Sequence, residues 1–244
     1  MQVDIITIFP NVFPTVFGES ILKRAQEHEH LSIAMHDLRD FSHDKHRKVD
    51  DRPYGGGPGM VMRVEPIFEA VERVKAGCGA HATAAARSCV TVLMSPQGET
   101  LNSRLVQQLA AIRHLIIICG HYEGVDERVR TALVDRSLSI GDYVLTGGAL
   151  PAMVLVDAVA RFIPQVLGHE QATEEESFAN GWLEYPQYTR PPVFRNLAVP
   201  EVLLSGDHER IAQWRKAQSV ARTKASRPDL LADGRPMTSE QIPS

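Results

Sequence analysis

Leu115-Ile-Ile-Ile-Cys119 runs into Gly120-His-Tyr-Glu-Gly124-Val-Asp126-Glu-Arg128, and Ser137-Leu-Ser-Ile-Gly141-Asp-Tyr-Val-Leu145 runs into Thr146-Gly-Gly-Ala-Leu-Pro151. Each stretch reads as an apolar strand ending in a glycine-rich turn. Glycine at a strand end lets the backbone approach a ligand and adopt φ > 0. In open α/β sheets, ligands sit at the carboxyl ends of the strands. Two such turns side by side make one pocket of backbone N–H and C=O groups, which suits a nucleoside or an adenosyl ligand.

Outward from these turns, the chain alternates strand and helix. Residues 3–9, 31–38, 90–94, 114–119 and 138–145 read as strands. Residues 15–28, 65–75, 102–111 and 126–135 read as helices, and another runs from Pro151 to about Phe162. Proline suits the first turn of that last helix. The alternation predicts an α/β fold with a mainly parallel sheet. After Pro164 the rhythm stops. Gly168-His-Glu-Gln-Ala-Thr-Glu-Glu-Glu176 reads as a polar linker. Residues 207–224 then form an amphipathic helix, with Ile211, Trp214, Ala217 and Ala221 on its apolar stripe and Arg215 and Arg222 on another face. The expected division is a first domain over 1–167, a flexible linker over 168–176 and a small helical domain over 177–244.

The 244 residues are 43% apolar and 23% charged, ordinary for a globular protein. No apolar run is long enough to cross a membrane. Met1-Gln-Val-Asp-Ile lacks the basic start of a signal peptide and reads as a strand. Cys78, Cys89 and Cys119 have no metal spacing, so no metal site is expected, and a buried thiol at Cys119 points to a reducing, cytoplasmic setting. The net charge of −4 gives no global sign of nucleic-acid binding, but charge is uneven. Arg210, Arg215, Lys216, Arg222, Lys224 and Arg227 share their stretch with one acid, Glu209. By charge alone this is either a phosphate-binding face or a solvated one. The loop ending in Pro53-Tyr54-Gly55-Gly56-Gly57-Pro58-Gly59 is long for a compact domain, and such loops are usually functional. A dinucleotide fingerprint, a P-loop, zinc spacing and a nucleophile elbow are all missing.

Seven stretches together resemble the bacterial tRNA (guanine-N1)-methyltransferases, which modify the guanosine at position 37. They are Asp4-Ile-Ile-Thr-Ile-Phe-Pro, Asp51-Arg-Pro-Tyr-Gly-Gly-Gly-Pro-Gly-Met, Ser95-Pro-Gln-Gly, Gly120-His-Tyr-Glu-Gly-Val-Asp-Glu-Arg, Ser139-Ile-Gly-Asp-Tyr-Val-Leu-Thr-Gly-Gly, Asp157-Ala-Val-Ala-Arg-Phe-Ile-Pro and Tyr188-Thr-Arg-Pro. They keep the family's order and span nearly the whole chain.

The resemblance implies a SPOUT-class fold whose C-terminal part forms a trefoil knot, and S-adenosylmethionine as methyl donor. Its implied cofactor contacts are Pro96, Gly120, Tyr122, Glu123, Gly124, Ser139, Ile140, Gly141, Tyr143, Leu145, Gly147, Gly148 and Pro151. The expected tRNA contacts are Gly55, Gly56, Gly57 and Arg190, with Arg215 and Arg222 from the basic face of the 207–224 helix. It further implies a homodimer in which each active site joins the knot of one subunit to the C-terminal domain of the other. Arg161 takes the place of the arginine that faces guanine O6, and Glu176 that of the aspartate base. Glu184, the next acidic residue and again a glutamate, is the further carboxylate expected at the catalytic site. His121 stands where the family more often has arginine. Two other readings stay open on sequence: a SPOUT ribose 2′-O-methyltransferase, and an RNA-binding module without turnover.

Overall fold

The computed structural model describes residues 1–77, 89–168 and 173–232. It separates into two compact units, Met1–Gly168 and His169–Ser244. In the first, β1 (Gln2–Thr7) leads through a 3-10 turn (Pro10–Val12) to α1 (Pro14–Phe17) and α2 (Ser20–Glu27). Then come β2 (Ser32–Asp37), a second 3-10 turn (Leu38–Phe41), and a small antiparallel pair, β3 (Asp50–Asp51) with β4 (Val61–Met62). α3 (Val64–Gly77), β5 (Cys89–Thr100), α4 (Ser103–Ala110), β6 (His114–Cys119), α5 (Glu127–Leu133), β7 (Arg136–Ser139) and α6 (Ala149–Ala160) complete it.

The central sheet runs β2-β1-β6-β5-β7, and every pairing in it is parallel. Both faces are covered, which is why β6 has no polar alternation: all six of its residues are buried. Its side chains divide by parity. Leu115, Ile117 and Cys119 join Val3, Ile5, Val90 and Val92 beneath α2, α4 and α6. Ile116 and Ile118 join Ile6 and Leu93 beneath α3 and α5, against Ile67, Val71 and Val129. Each such buried aliphatic side chain contributes about 1.5–3 kcal/mol. Asn102 and Asp126 start α4 and α5 as N-caps, accepting from the backbone N–H of Leu105 (3.0 Å) and Arg128 (2.9 Å).

An ionised group lies inside this core. Asp4 accepts from Nε2 of His36 (2.5 Å), Nε2 of His114 (2.6 Å) and Nε2 of Gln2 (2.8 Å). Burial pushes its carboxyl up, but these hydrogen bonds and the charge of His114 outweigh that and hold it well below the usual range.

Three expected elements differ. The helix over 15–28 is two pieces, because the Gly18 N–H closes on Pro14 O, Glu19 is extended, and Ser20 has φ +51°. The strand over 90–94 continues to Thr100. Ser95–Gly98 is looped out, so that Met94 and Glu99 both align with Leu138. A Cβ on Gly98 would lie 2.4 Å from Leu138 N, which is why glycine ends this excursion. The strand over 138–145 stops at Ser139: its hydroxyl donates to Gly141 O (2.9 Å) and accepts from Gly141 N (3.2 Å), curling the chain out of the sheet.

In the second unit, β8 (Val193–Phe194) and β9 (Leu197–Ala198) form an antiparallel hairpin. α7 (Glu201–Leu204), α8 (His208–Ser226) and α9 (Asp229–Ala232) follow. Asp207 caps α8 by accepting from Arg210 N at 3.1 Å. The covered face of α8 is rotated from the expected stripe. Ile211 and Trp214 are half-buried, but Ala217 and Ala221 are exposed, and Thr223 is buried instead. The reason is polar: Thr223 Oγ1 accepts from Leu183 N (2.9 Å) and donates to Ser219 O (2.7 Å). Of the expected linker, 169–172 lie outside the described residues.

Candidate active site

The carboxyl ends of β5, β6 and β7 meet around a cleft of about 340 Å³. Pro96, Gly120, Tyr122, Glu123, Gly124, Ser139, Ile140, Tyr143, Leu145, Gly147, Gly148 and Pro151 all line it. Of the expected cofactor residues, only Gly141 does not. It has φ +150°, and a Cβ added there would strike the Tyr143 ring at 2.4 Å.

The second turn is locked onto the first. Gly148 N donates to Gly120 O at 2.7 Å, and His121 and Gly147 form an isolated bridge. Contact is so close that a Cβ on Gly148 would lie 2.9 Å from Cys119 Cα and Gly120 N. Glycine is required here by close approach, not by φ. Tyr143 closes its side of the loop by donating from its hydroxyl to Ile140 O (3.2 Å). Tyr122 is held at φ +58°, uncommon for a residue with a Cβ and costing of order 1–3 kcal/mol. Partial burial, followed by the nearby Asp50 carboxylate, raises its phenol pKa.

Residues not among the expected cofactor contacts also line the cleft, among them His121, Val144, Glu127 and Arg130. Glu127 and Arg130 form an ion pair one turn apart on α5; Arg130 Nε donates to Glu127 Oε2 at 2.9 Å, and the carboxyl is held low by it. An acid–base pair at i, i+3 at the helix start was the available signal. His121 sets its ring edge-on against Phe9 (5.1 Å) and Tyr122 (4.7 Å).

Gly55, Gly56 and Gly57 sit on an arm rooted in the same turn. Glu123 N donates to Met60 O (3.0 Å), Met62 N to Gly124 O (2.9 Å) and Asp126 N to Met62 O (3.0 Å). All three glycines have positive φ and open space around them, and Tyr54 beside them is fully exposed.

Arg161 forms the C-cap of α6. Twelve helical residues, roughly 18 Å at 1.5 Å each, separate it from the Gly148 end, and it does not line the cleft.

The remaining expected residues belong to the second unit. Glu176 is half-buried at the start of a turn in which Ala179 N donates to Glu176 O (3.1 Å). Glu175 is engaged elsewhere: Tyr185 donates to its Oε2 (3.0 Å), and Arg215 lies 4.0 Å from the same atom. Glu184 N donates to Ser177 Oγ (3.0 Å), and its carboxylate accepts from Gln187 Nε2 (2.5 Å). Arg190 and Arg222 are exposed. Arg215 is turned inward, its guanidinium 4.6 Å from the Tyr185 ring centroid. Among the described residues no His, Cys, Asp and Glu are grouped to hold a metal, and no helix is long and apolar enough to cross a membrane.

The chain matches the family model described as "tRNA (Guanine-1)-methyltransferase TrmD" over residues 1–233. It is 58% identical over 232 residues to a tRNA (guanine-N(1)-)-methyltransferase of Moorella thermoacetica, covering 95% of this chain and 90% of that protein. It is 51% identical over 241 residues to the protein of the same name from Geobacillus kaustophilus, covering 99% and 95%. A match over nearly the whole length, through both units and all the cleft turns, places the chain in the tRNA (guanine-1)-methyltransferase TrmD family.

Proposed function

We propose that the chain methylates N1 of guanosine-37 in tRNA with S-adenosylmethionine, as a cytoplasmic homodimer. The observation that carries this reading is the cleft itself, built from the motifs that the family match spans. Its chemistry fits the donor: glycine turns without side chains to fill the space, aromatic Tyr122 and Tyr143, and apolar Ile140, Leu145 and Pro151. S-adenosylmethionine held there supplies an electrophilic methyl group.

The chain's own residues do the rest. Guanine N1 is protonated at neutral pH and cannot attack until that proton is removed. We assign the proton to Glu176, with the reach of a glutamate in place of the family's aspartate. Glu175 is engaged with Tyr185 and Arg215. Loss of the proton puts negative charge on O6, and the Arg161 guanidinium is the group we assign to face it. Glu184 tethers the same segment through Ser177 and Gln187.

Two further assignments rest on the geometry around the cleft. Residues 140–148 pass from the end of β7 across the end of β5 to that of β6 and lead into α6, and this crossing is the segment we assign to the SPOUT trefoil knot. Val144 is 81% exposed, Leu150 58% and Val154 46%, an apolar strip beside the cleft that a second copy would cover. Such packing also gives Glu176 a route to a cleft other than its own.

The test is incubation of labelled S-adenosylmethionine with unmodified tRNA transcripts carrying or lacking guanosine at position 37, followed by nucleoside analysis. Label in 1-methylguanosine from the first transcript alone is expected. Label on ribose, or none while the donor binds, refutes the reading. Glu176→Gln is expected to slow single-turnover methyl transfer by roughly 10²–10⁴-fold, while Glu176→Asp stays active and Glu175→Gln changes little. Normal turnover by Glu176→Gln with an inactive Glu184→Gln moves the base to Glu184.

A further inference from the structure

The β8–β9 hairpin is anomalous for a surface element. Val193 pairs with Ala198 and Phe194 with Leu197, so each face of the hairpin carries one apolar pair. Neither face is covered: Val193 is 57%, Phe194 58% and Leu197 75% exposed. Isolated two-stranded hairpins are marginal in water, and this one leaves its apolar side chains out. Its turn is tight and fixed. Arg195 and Asn196 have φ +48° and +64°, the two-residue form that matches strand twist, and Val199 N donates to Pro192 O (2.8 Å) at the base. The structure therefore holds a stiff, projecting aromatic tip.

Charge indicates what meets it. Three arginines of this unit lie over aromatic rings: Arg215 over Tyr185 (4.6 Å), Arg227 over Phe178 (5.8 Å) and Arg195 over Phe194 (5.1 Å). The first has Glu175 at 4.0 Å, and the second is bound by Asp229 through Nε at 2.9 Å. Among the described residues no carboxylate lies within ion-pair distance of the third. An apolar protein surface laid over Phe194 would bury that guanidinium unpaired, which is costly. A nucleobase would cover the ring by stacking, and its phosphate would neutralise the charge.

We infer that the Val193–Ala198 hairpin is a stacking finger for an unpaired base of the substrate RNA, with Phe194 taking the base and Arg195 the adjoining phosphate. This rests on the tRNA reading above and adds a contact outside the cleft, the glycine arm and the basic helix. Stacking of this kind tolerates any base, so the finger contributes affinity and register, not sequence choice.

The experiment is equilibrium binding of a fluorescent unmodified tRNA transcript carrying guanosine-37 to the full-length protein. S-adenosylmethionine affinity and sedimentation are measured on the same samples. Phe194→Ala is expected to weaken tRNA binding about 5- to 100-fold, Phe194→Trp to retain it, and Arg195→Ala to lower the salt slope by about one. Donor affinity and oligomeric state are expected to stay as in the wild type. Binding by Phe194→Ala within twofold of wild type overturns the inference. So does a change in oligomeric state with Phe194→Ala, which would show that a second copy covers the hairpin. If Phe194→Ala fails to fold, Arg195→Ala decides alone: an unchanged salt slope overturns the inference. Methylation of the transcript by wild-type protein separates failure of the finger from failure of the tRNA reading.

Discussion

Gly147 and Gly148 are adjacent, yet alanine at each meets a different kind of obstacle. A Cβ at 147 would lie 2.6 Å from Nδ1 of His121 and 3.2 Å from Gly120 O. At 148 it would lie 2.9 Å from Cys119 Cα and Gly120 N, both backbone atoms at the end of β6. A side chain can turn aside, whereas a central strand cannot. Overpacking costs about 1–3 kcal/mol, and alanine recovers about 0.4–1 kcal/mol through the unfolded chain. Gly148→Ala is then expected to lose about 1–2 kcal/mol of stability and to weaken S-adenosylmethionine binding as α6 is pushed off the cleft floor. Gly147→Ala is expected to lose less, and His121→Ala to restore most of it. Urea unfolding and calorimetric titration of the two double-mutant cycles check this. The expected coupling with His121 is about 0.5–2 kcal/mol for position 147 and under about 0.5 kcal/mol for position 148. Equal coupling in both cycles, or a Gly148→Ala protein as stable as wild type, refutes the reasoning.

Further outcomes follow from the same contacts. The Asp4 carboxyl is held low in the folded protein, so its stabilisation is complete above the unfolded value near 3.9 and drains away as pH falls below it. Asp4→Asn is expected to cost about 1–3 kcal/mol at neutral pH and to flatten the acid limb of a stability–pH curve; an unchanged limb means that Asp4 is not its source. Arg222→Glu, at an exposed site, is expected to weaken tRNA binding at low salt without altering donor binding, measured by titration. Arg215→Glu is expected also to lower the thermal midpoint, because that guanidinium packs on Tyr185. Mixing Gly148→Val subunits with Glu176→Gln subunits is expected to restore activity in verified heterodimers; no recovery argues for sites built within one chain.

The sheet was readable because β6 is buried at every position and apolar from Leu115 to Cys119, while the other strands alternate with helices, as a parallel sheet covered on both faces requires. The cleft was readable because its glycines follow strands directly. Harder to see were features set by long-range contact. Nothing local says that β5 resumes after Ser95–Gly98, because the excursion is defined by Leu138 across the sheet. Ser139 ends β7 through its own hydroxyl, while Tyr143–Leu145 keep a strand-like composition out in the loop. The stripe on α8 was misjudged because a hydroxyl, Thr223, is the residue buried there, fixed by Leu183 N from another part of the unit. Glu176 and Arg161 were reachable only through resemblance, since an acidic run and a basic helix end are common on any surface.

The sheet order also governs how this protein must be made. β1 finds β2 early, but its other edge is reserved for β6, whose Leu115 aligns with Val3. On a ribosome adding about 5–20 residues per second, the most apolar edge of the nascent chain waits roughly 5–20 s for a partner not yet translated. The chain must be synthesised through Cys119 of a unit that ends at Gly168 before its centre can close. A truncation before β6 leaves an adhesive edge, not a smaller folded protein.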